Sequence, residues 1–236
     1  MTVVFILPLS FQIVKLDNPA NAGVHIIPLL IASATGSLVG GRLNSQKNNT
    51  TSTLLVGACF LMLGCGLLST FDSSLTIAHK VYGFEVLLGL GTGMTMATVA
   101  LLTSFNSILA DRAVSQGIVS QARILGGSFG IAIANAVTNN QAHKDLPGVL
   151  TATQIGQLQT STTVLNTLTP MQANAVRIMY TESFSLMMKV CVGVAGAALV
   201  ATLFTYQKNP PSPELMHQRV SETEETKRDV EMSSRS

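Results

Sequence analysis

Six apolar blocks divide the chain, and each is long enough, or nearly long enough, to cross a lipid bilayer. They cover residues 1–14, 22–41, 54–70, 81–102, 115–137 and 183–206. A helix needs about 20 mainly apolar residues to span ~30 Å of hydrocarbon, where every backbone polar group must be satisfied internally. Charged residues make up 11% of the chain, whereas roughly a quarter is usual in a soluble domain. The blocks therefore predict an all-α, polytopic membrane protein.

The two ends of the chain differ from its middle. The first block begins at Met1 without a preceding charge, and it lacks the basic region and cleavage site of a signal peptide. We interpret residues 1–14 as a transmembrane helix truncated at its N-terminus. Residues 207–236 contain prolines and a run of charges, which predicts a disordered tail. The transmembrane unit is therefore expected at residues 1–206.

One connection, residues 138–182, is much longer than the others and is rich in Thr, Gln and Asn. We expect it to form a loop before the last span. Within it, Thr169 and Pro170 are typical of an N-cap followed by proline at the first helical position. A helix is therefore predicted to begin at Pro170 and to continue into the last span.

Glycines spaced four residues apart recur inside the blocks. Helices in a membrane associate through close van der Waals contact, because lipid tails are as apolar as leucine side chains, and small residues at this spacing allow that contact. We therefore predict a helix-packing role for Gly36 with Gly40, Gly89 with Gly93, and Gly126 with Gly130.

Three charged residues lie inside the apolar blocks: Glu85, Arg123 and Lys189. A charge inside a bilayer costs about 2.5–3.5 kcal/mol on insertion scales, so each needs a physical reason. Lys189 is expected to reach the outer interface along its aliphatic stem. Glu85 and Arg123 are the stronger candidates for a functional role.

The order and spacing of several motifs resemble the C-terminal half of a major facilitator superfamily transporter. The most similar group is the fungal fourteen-span drug:proton antiporters. The motifs are LPLSFQ at 7–12, NPANAGVHIIPL at 18–29, the glycines before Arg42, the glycines of 57–66, YGF and GLGTG within 82–93, and RILGGSFGIAI at 123–133. The resemblance implies a six-helix bundle, a missing N-terminal half, alternating access driven by protons, an extracellular 138–182 loop and a cytoplasmic tail.

Glu85 is the candidate for proton coupling. Leu88, Thr92 and Thr95 follow it on the same helix face, and the resemblance implies that this helix lines the transport cavity. A carboxylate in a low-dielectric site can exchange a proton during a transport cycle. The alternative is a carboxylate at the extracellular interface that reaches water or pairs with Lys80.

Arg123 and several uncharged residues complete the expected site. Arg123 is assigned a gating or structural role, with extension toward the cytoplasmic surface as the alternative. Polar cavity-lining candidates are Gln12, Thr92, Thr95 and Asn135, and apolar ones are Phe11, Phe105, Phe129, Met94 and Met96. For the apolar residues, helix packing or lipid contact is the alternative.

Other classes of protein have little support. No Ser-His-Asp, Cys-His or paired-carboxylate arrangement lies on a common helix face, so an enzyme is not predicted, and neither a cofactor nor a metal is implied. The cysteines Cys59, Cys65 and Cys191 are interpreted as small apolar packing residues. The net charge of +2 gives no reason to expect a nucleic-acid partner.

The leading hypothesis is proton-coupled efflux of small amphipathic compounds, such as drugs, toxins or secondary metabolites. Its expected partners are protons, the lipid bilayer and the missing N-terminal half, with the plasma membrane favoured over the vacuolar membrane. The alternatives are an importer, for example of siderophores, and a truncated membrane protein that does not transport.

Overall fold

A computed structural model describes residues 2–14, 19–46, 49–70, 79–107, 111–151, 156 and 168–204. These ranges contain seven named α-helices and no named β-strand. The helices are α1 (Thr2–Val14), α2 (Pro19–His25), α3 (Ile27–Gln46), α4 (Thr50–Leu68), α5 (His79–Asn106), α6 (Arg112–Asp145) and α7 (Pro170–Phe204). The all-α prediction is therefore confirmed. The predicted tail, residues 207–236, lies outside the described residues.

Five described segments are long and apolar enough to cross a membrane: Ala20–Ser45, Thr50–Leu68, His79–Asn106, Arg112–Asp145 and Pro170–Phe204. A shorter apolar helix covers Val3–Val14. The first of the five contains both α2 and α3, which are separated by a turn at Ile26. Pro28 explains the break, because it has no N–H to donate to the carbonyl four residues earlier.

Helix α5 lies between α3 and α4, and glycines bring the three backbones together. Gly36 and Gly40 of α3 face Leu90 and Met94 of α5, so the residue numbers increase together and these two helices are parallel. A Cβ atom on Gly93 of α5 would collide with the backbone of α3. Leucine or valine side chains at these positions would push the helices apart.

Helix α4 packs on the other side of α5 in the opposite direction. Gly64 of α4 faces Leu88, whereas Gly57 faces Thr95, so the residue numbers run in opposite senses along the two helices. Gly91 of α5 is equally close to the backbone of α4 near Leu61. The alternation of directions is the one expected for successive membrane crossings joined by short connections.

Helices α6 and α7 extend beyond the predicted apolar blocks. Helix α6 continues to Asp145, and α7 begins at Pro170, so the predicted 138–182 loop is helical over 138–145 and 170–182. Apolar character marks only the hydrocarbon-spanning part of a helix, and α6, with 34 residues, is ~51 Å long at 1.5 Å per residue. The continuation of α6 over 138–145 was not predicted, whereas the helix beginning at Pro170 was.

The start of α7 agrees with the sequence prediction at Thr169 and Pro170. The backbone N–H of Gln172 donates to Thr169 Oγ1 at 3.4 Å, and the backbone N–H of Thr169 donates to Gln172 Oε1 at 3.1 Å. This reciprocal pair is a capping box, which satisfies N–H groups that the first helical turn leaves free.

An apolar cluster joins the described parts of the 138–182 segment to α1. Its buried members are Ile13, Ala142, Leu146, Leu150, Val176 and Met179. Gly148, with a φ of 89°, supplies the left-handed turn after α6 that other residues rarely adopt. The described parts of this segment are therefore packed against α1 through apolar side chains.

Helix α7 also supplies side chains to the C-terminal ends of two other helices. Arg177 Nε donates to the carbonyl of Val14, the last residue of α1, at 2.8 Å. Ser185 Oγ donates to the carbonyl of Ser69, just after α4, at 2.7 Å. Carbonyls at helix C-termini have no partner within the helix, so these bonds attach α7 to α1 and α4.

Candidate functional site

Glu85 lies on α5, one turn before the residues that contact α3 and α4. Its side chain is 0% exposed, and neither carboxylate oxygen has a hydrogen-bond partner among the described residues. One turn further along α5, Leu88 contacts Gly64 of α4 and Gly89 faces Leu29 of α3. The residues that follow Glu85 by one turn therefore pack closely against both neighbouring helices.

The alternative in which Glu85 reaches water or pairs with Lys80 is not observed among the described residues. Lys80 is exposed at the start of α5, whereas Glu85 is fully buried and unpaired within the described residues. A buried charge without a partner is very costly, so this carboxyl group is far more stable when neutral.

A histidine–tyrosine pair lies one turn from Glu85. The hydroxyl group of Tyr82 and Nδ1 of His25 are 2.6 Å apart, and the ring of Phe11 packs against the imidazole with centroids 5.5 Å apart. Tyr82 precedes Glu85 by three residues on α5, so both lie on one side of the helix. The sequence analysis did not identify this pair, although a histidine inside an apolar stretch was a visible signal.

A second polar cluster lies near the other end of α3 and α5. Asn44 Nδ2 donates to Thr98 Oγ1 at 3.1 Å and to the carbonyl of Gly40 at 2.8 Å, while Thr53 Oγ1 donates to Asn44 Oδ1 at 3.1 Å. Asn44, Thr53 and Thr98 are all buried. We call these three residues the Asn44 cluster; it links α3, α4 and α5 and was not predicted.

A cavity of about 460 Å³ lies among the helices beside Glu85. Each of six helices contributes to its lining, including Val4 of α1, Leu29 of α3, Cys65 of α4, Thr92 of α5, Phe129 of α6 and Cys191 of α7. Leu88 also lines it, whereas Glu85 itself does not. Phe129 and Val194 are largely exposed, so the cavity is open on the side of α6 and α7.

The polar cavity-lining candidates are not brought together in this cavity. Thr92 lines it, but Gln12 and Thr95 do not. Asn135 is exposed on α6 together with Gln121 and Ser128, at intervals of seven residues. Seven residues make nearly two helical turns, so these three side chains form a polar stripe on one face of α6. This stripe lies opposite the face formed by Gly126, Phe129, Gly130 and Ile133, which lines the cavity.

The remaining candidates occupy different environments. Arg123 is half-buried and makes no hydrogen bond or ion pair with a described residue, and Lys189 is exposed. Gly36, Gly40, Gly89 and Gly93 all lie where α3 meets α5. The predicted helix-packing role of Gly126 is corrected, because a Cβ atom on this residue would have no neighbouring atom within 4 Å. Gly126 and its pair Gly130 line the cavity instead.

The apolar helices and the buried carboxyl group define a class, namely a polytopic all-α membrane protein with an ionisable group in its interior. No protein-family model matches the chain. The curated proteins to which the chain is similar are fungal MFS-type transporters and efflux pumps. The resemblance to the major facilitator superfamily is thereby confirmed.

Three relatives illustrate the extent of the similarity. The MFS-type transporter FPY5 of Fusarium mangiferae is 29% identical over 211 residues, which are 89% of this chain and 35% of that protein. The efflux pump roqT of Penicillium rubens is 27% identical over 217 residues, covering 89% of this chain and 39% of the pump. The MFS acetylaranotin efflux transporter ataA of Aspergillus terreus is 27% identical over 184 residues, covering 77% and 41%. The matched region is therefore only 35–41% of each relative.

Proposed function

We propose that this chain is one helical half of a proton-coupled exporter of small amphipathic compounds, working by alternating access. Its relatives are named transporters and efflux pumps, which supports transport as the general activity. The observation that carries the proton-coupled form is Glu85, a fully buried carboxyl group without a partner in the described residues.

The proposed coupling between proton release and conformational change follows from the free-energy cost of burying a charge without a partner. While α3, α4 and α5 pack around Glu85, its carboxyl group holds a proton, because an unpaired carboxylate in an apolar site is very costly. When the surrounding helices separate and admit water, the ionised form is stabilised and the proton leaves. Protonation and helix packing thus favour each other, which links a proton gradient to a change of conformation.

The polar stripe of α6 supports the proposal that another part of the transporter lies against this face of the helix. Gln121, Ser128 and Asn135 are exposed within a membrane-spanning helix. Polar side chains of such helices usually face protein or a water-filled cavity rather than lipid. We assign this face to the transport pathway shared with an N-terminal half, and we place the complete transporter in the plasma membrane with the tail in the cytoplasm.

Substitution of Glu85 tests the proposal. The complete gene product is placed in sealed vesicles, and dye accumulation is measured with and without an imposed pH gradient. The variant Glu85→Gln is expected to lose accumulation driven by the gradient while retaining exchange of labelled for unlabelled dye, because the amide cannot release a proton. Lys189→Gln, which removes an exposed charge from α7, is the matched control and should behave like the wild type.

The same assay separates the alternatives. Dye movement in the opposite direction would favour the importer, and the absence of any transport by the wild-type protein would favour a membrane protein that does not transport. Gradient-driven accumulation that is unchanged in Glu85→Gln would exclude Glu85 as the proton site.

A further inference from the structure

The two cysteines of the cavity come from different helices and lie next to each other. Cys65 belongs to α4 and Cys191 to α7, and both line the cavity. Their neighbours along the chain confirm the approach of the helices, because a Cβ atom on Gly66 would lie 3.9 Å from a methyl group of Val192. Cys65 belongs to a buried apolar cluster against which Cys191 packs, and both cysteines are free rather than joined in a disulfide.

The thiols are the strongest available ligands on the cavity wall. The hydroxyl group of Thr92, which also lines it, already donates to backbone carbonyls of its own helix at 2.8 and 3.1 Å. The other lining side chains are aliphatic, aromatic, thioether or absent, as at Gly126 and Gly130. A compound that enters this cavity therefore finds two soft sulfur ligands and almost no free hydrogen-bonding group.

Charge balance restricts what such a pair can hold. A monovalent cation bound by two thiolates leaves a net negative charge, which is costly in an apolar site without a neighbouring cation. Arsenic(III) that carries one organic group forms two As–S bonds and gives a neutral product. Thiolates also favour soft ligand partners.

We infer that this cavity is a binding site for apolar, monosubstituted arsenic(III) compounds, with Cys65 of α4 and Cys191 of α7 as its two ligands. The reaction is a condensation in which arsenic keeps its oxidation state. Two As–S bonds form, the arsenic–oxygen bonds break, and the two thiol protons leave with one oxygen as water. The organic group occupies the apolar space beside Phe129 and Ile133.

Phenylarsine oxide is the probe that tests this site. The purified chain in lipid nanodiscs is incubated with the compound, washed with glutathione and examined by intact-mass spectrometry. A phenylarsenic group that replaces two protons is expected to survive the wash and to be released by 2,3-dimercaptopropanol. The second As–S bond forms within one molecule, so its high effective concentration resists a competing monothiol.

Three matched variants identify the ligands. Cys65→Ser and Cys191→Ser are each expected to lower the retained arsenic at least about tenfold, because each leaves only one As–S bond. Cys59→Ser is the control, since Cys59 is exposed on α4 and does not line the cavity; it should retain the adduct. Thermal unfolding of every variant checks that the helices remain packed.

Arsenic X-ray absorption provides a readout that packing alone does not change. Two sulfur neighbours and one carbon neighbour are expected at arsenic in the wild type and in Cys59→Ser. An adduct that persists in both Cys65→Ser and Cys191→Ser, or a single sulfur neighbour in the wild type, would overturn the inference. These measurements use no transport assay, so their outcome is independent of the proposed export activity.

Discussion

The two ends of the α3–α5 pair each contain a buried polar group, but the hydrogen bonding of the two groups differs. At one end, Asn44 shares hydrogen bonds with Thr53 and Thr98. At the other end, the carboxyl group of Glu85 has no partner among the described residues. The same glycine contacts hold the helices between the two ends. The first end therefore has the properties of a structural anchor, and the second is the end at which we propose a proton site.

Disruption of the close contact between α3 and α5 is expected to lower the stability most, since both ends of the helix pair depend on this contact. A Cβ atom in Gly93→Ala would overlap the backbone at Ser33, so we expect a loss of about 1–3 kcal/mol of unfolding free energy or no folded protein. Gly83→Ala makes the same change on the same helix, where nothing lies within 4 Å. It should be neutral or stabilising in detergent unfolding experiments, and equal losses in both variants would contradict a special role for the contact.

Removal of the anchor should have the next largest effect. Asn44→Ala leaves the hydroxyl groups of Thr53 and Thr98 without their shared partner, at a cost of about 1–2 kcal/mol in unfolding free energy. Ser45→Ala, at an exposed neighbouring position, is the control. If the two variants unfold alike, the Asn44 cluster does not anchor the helices.

The histidine–tyrosine pair should contribute less. Tyr82→Phe removes the hydroxyl group that lies 2.6 Å from His25 and keeps the aromatic ring. A loss of about 0.5–1.5 kcal/mol is expected, because one hydrogen bond at a half-buried position disappears. His25→Phe combined with Tyr82→Phe should cost little more than either change alone, and additive costs would show that the two residues act independently.

Glu85 should respond in the opposite direction from Asn44. Glu85→Met replaces an unpaired carboxyl group by an apolar side chain of similar length, so the unfolding free energy should be unchanged or slightly higher. A clear loss of stability, comparable to that of Asn44→Ala, would show that Glu85 has a structural partner and would remove the contrast between the two ends.

A separate measurement can determine which end of the α3–α5 pair faces the cytoplasm. Asn48 and Asn49 begin two overlapping glycosylation sequons in the sequence that follows α3. Alternating crossings put this connection on the same side of the membrane as the tail, so with the tail in the cytoplasm neither asparagine is modified during expression in a fungal host. A glycan on either residue, detected by a mass shift that a glycosidase reverses, would place Glu85 at the cytoplasmic end instead.

Local sequence information was sufficient for much of the helical framework. The apolar blocks located the crossing segments, and Thr169 with Pro170 located the start of α7. Prediction from the sequence failed where the role of a residue depended on a neighbouring helix. The spacing of Gly126 and Gly130 is the same as that of Gly36 and Gly40, yet Gly126 faces open space. The spacing describes one helix face, but only the neighbouring helix decides whether that face is covered.

The sequence by itself determined that the chain crosses a membrane as helices and that Glu85 is a charged residue inside one of them. Hydrocarbon imposes both results, because it admits few charges and leaves no backbone polar group unsatisfied. Tertiary structure alone decided that Asn44 is paired, that Glu85 has no partner in the described part of the chain, and that Cys65 and Cys191 line one cavity. These relations join residues that are far apart along the chain, and side-chain packing between helices creates them.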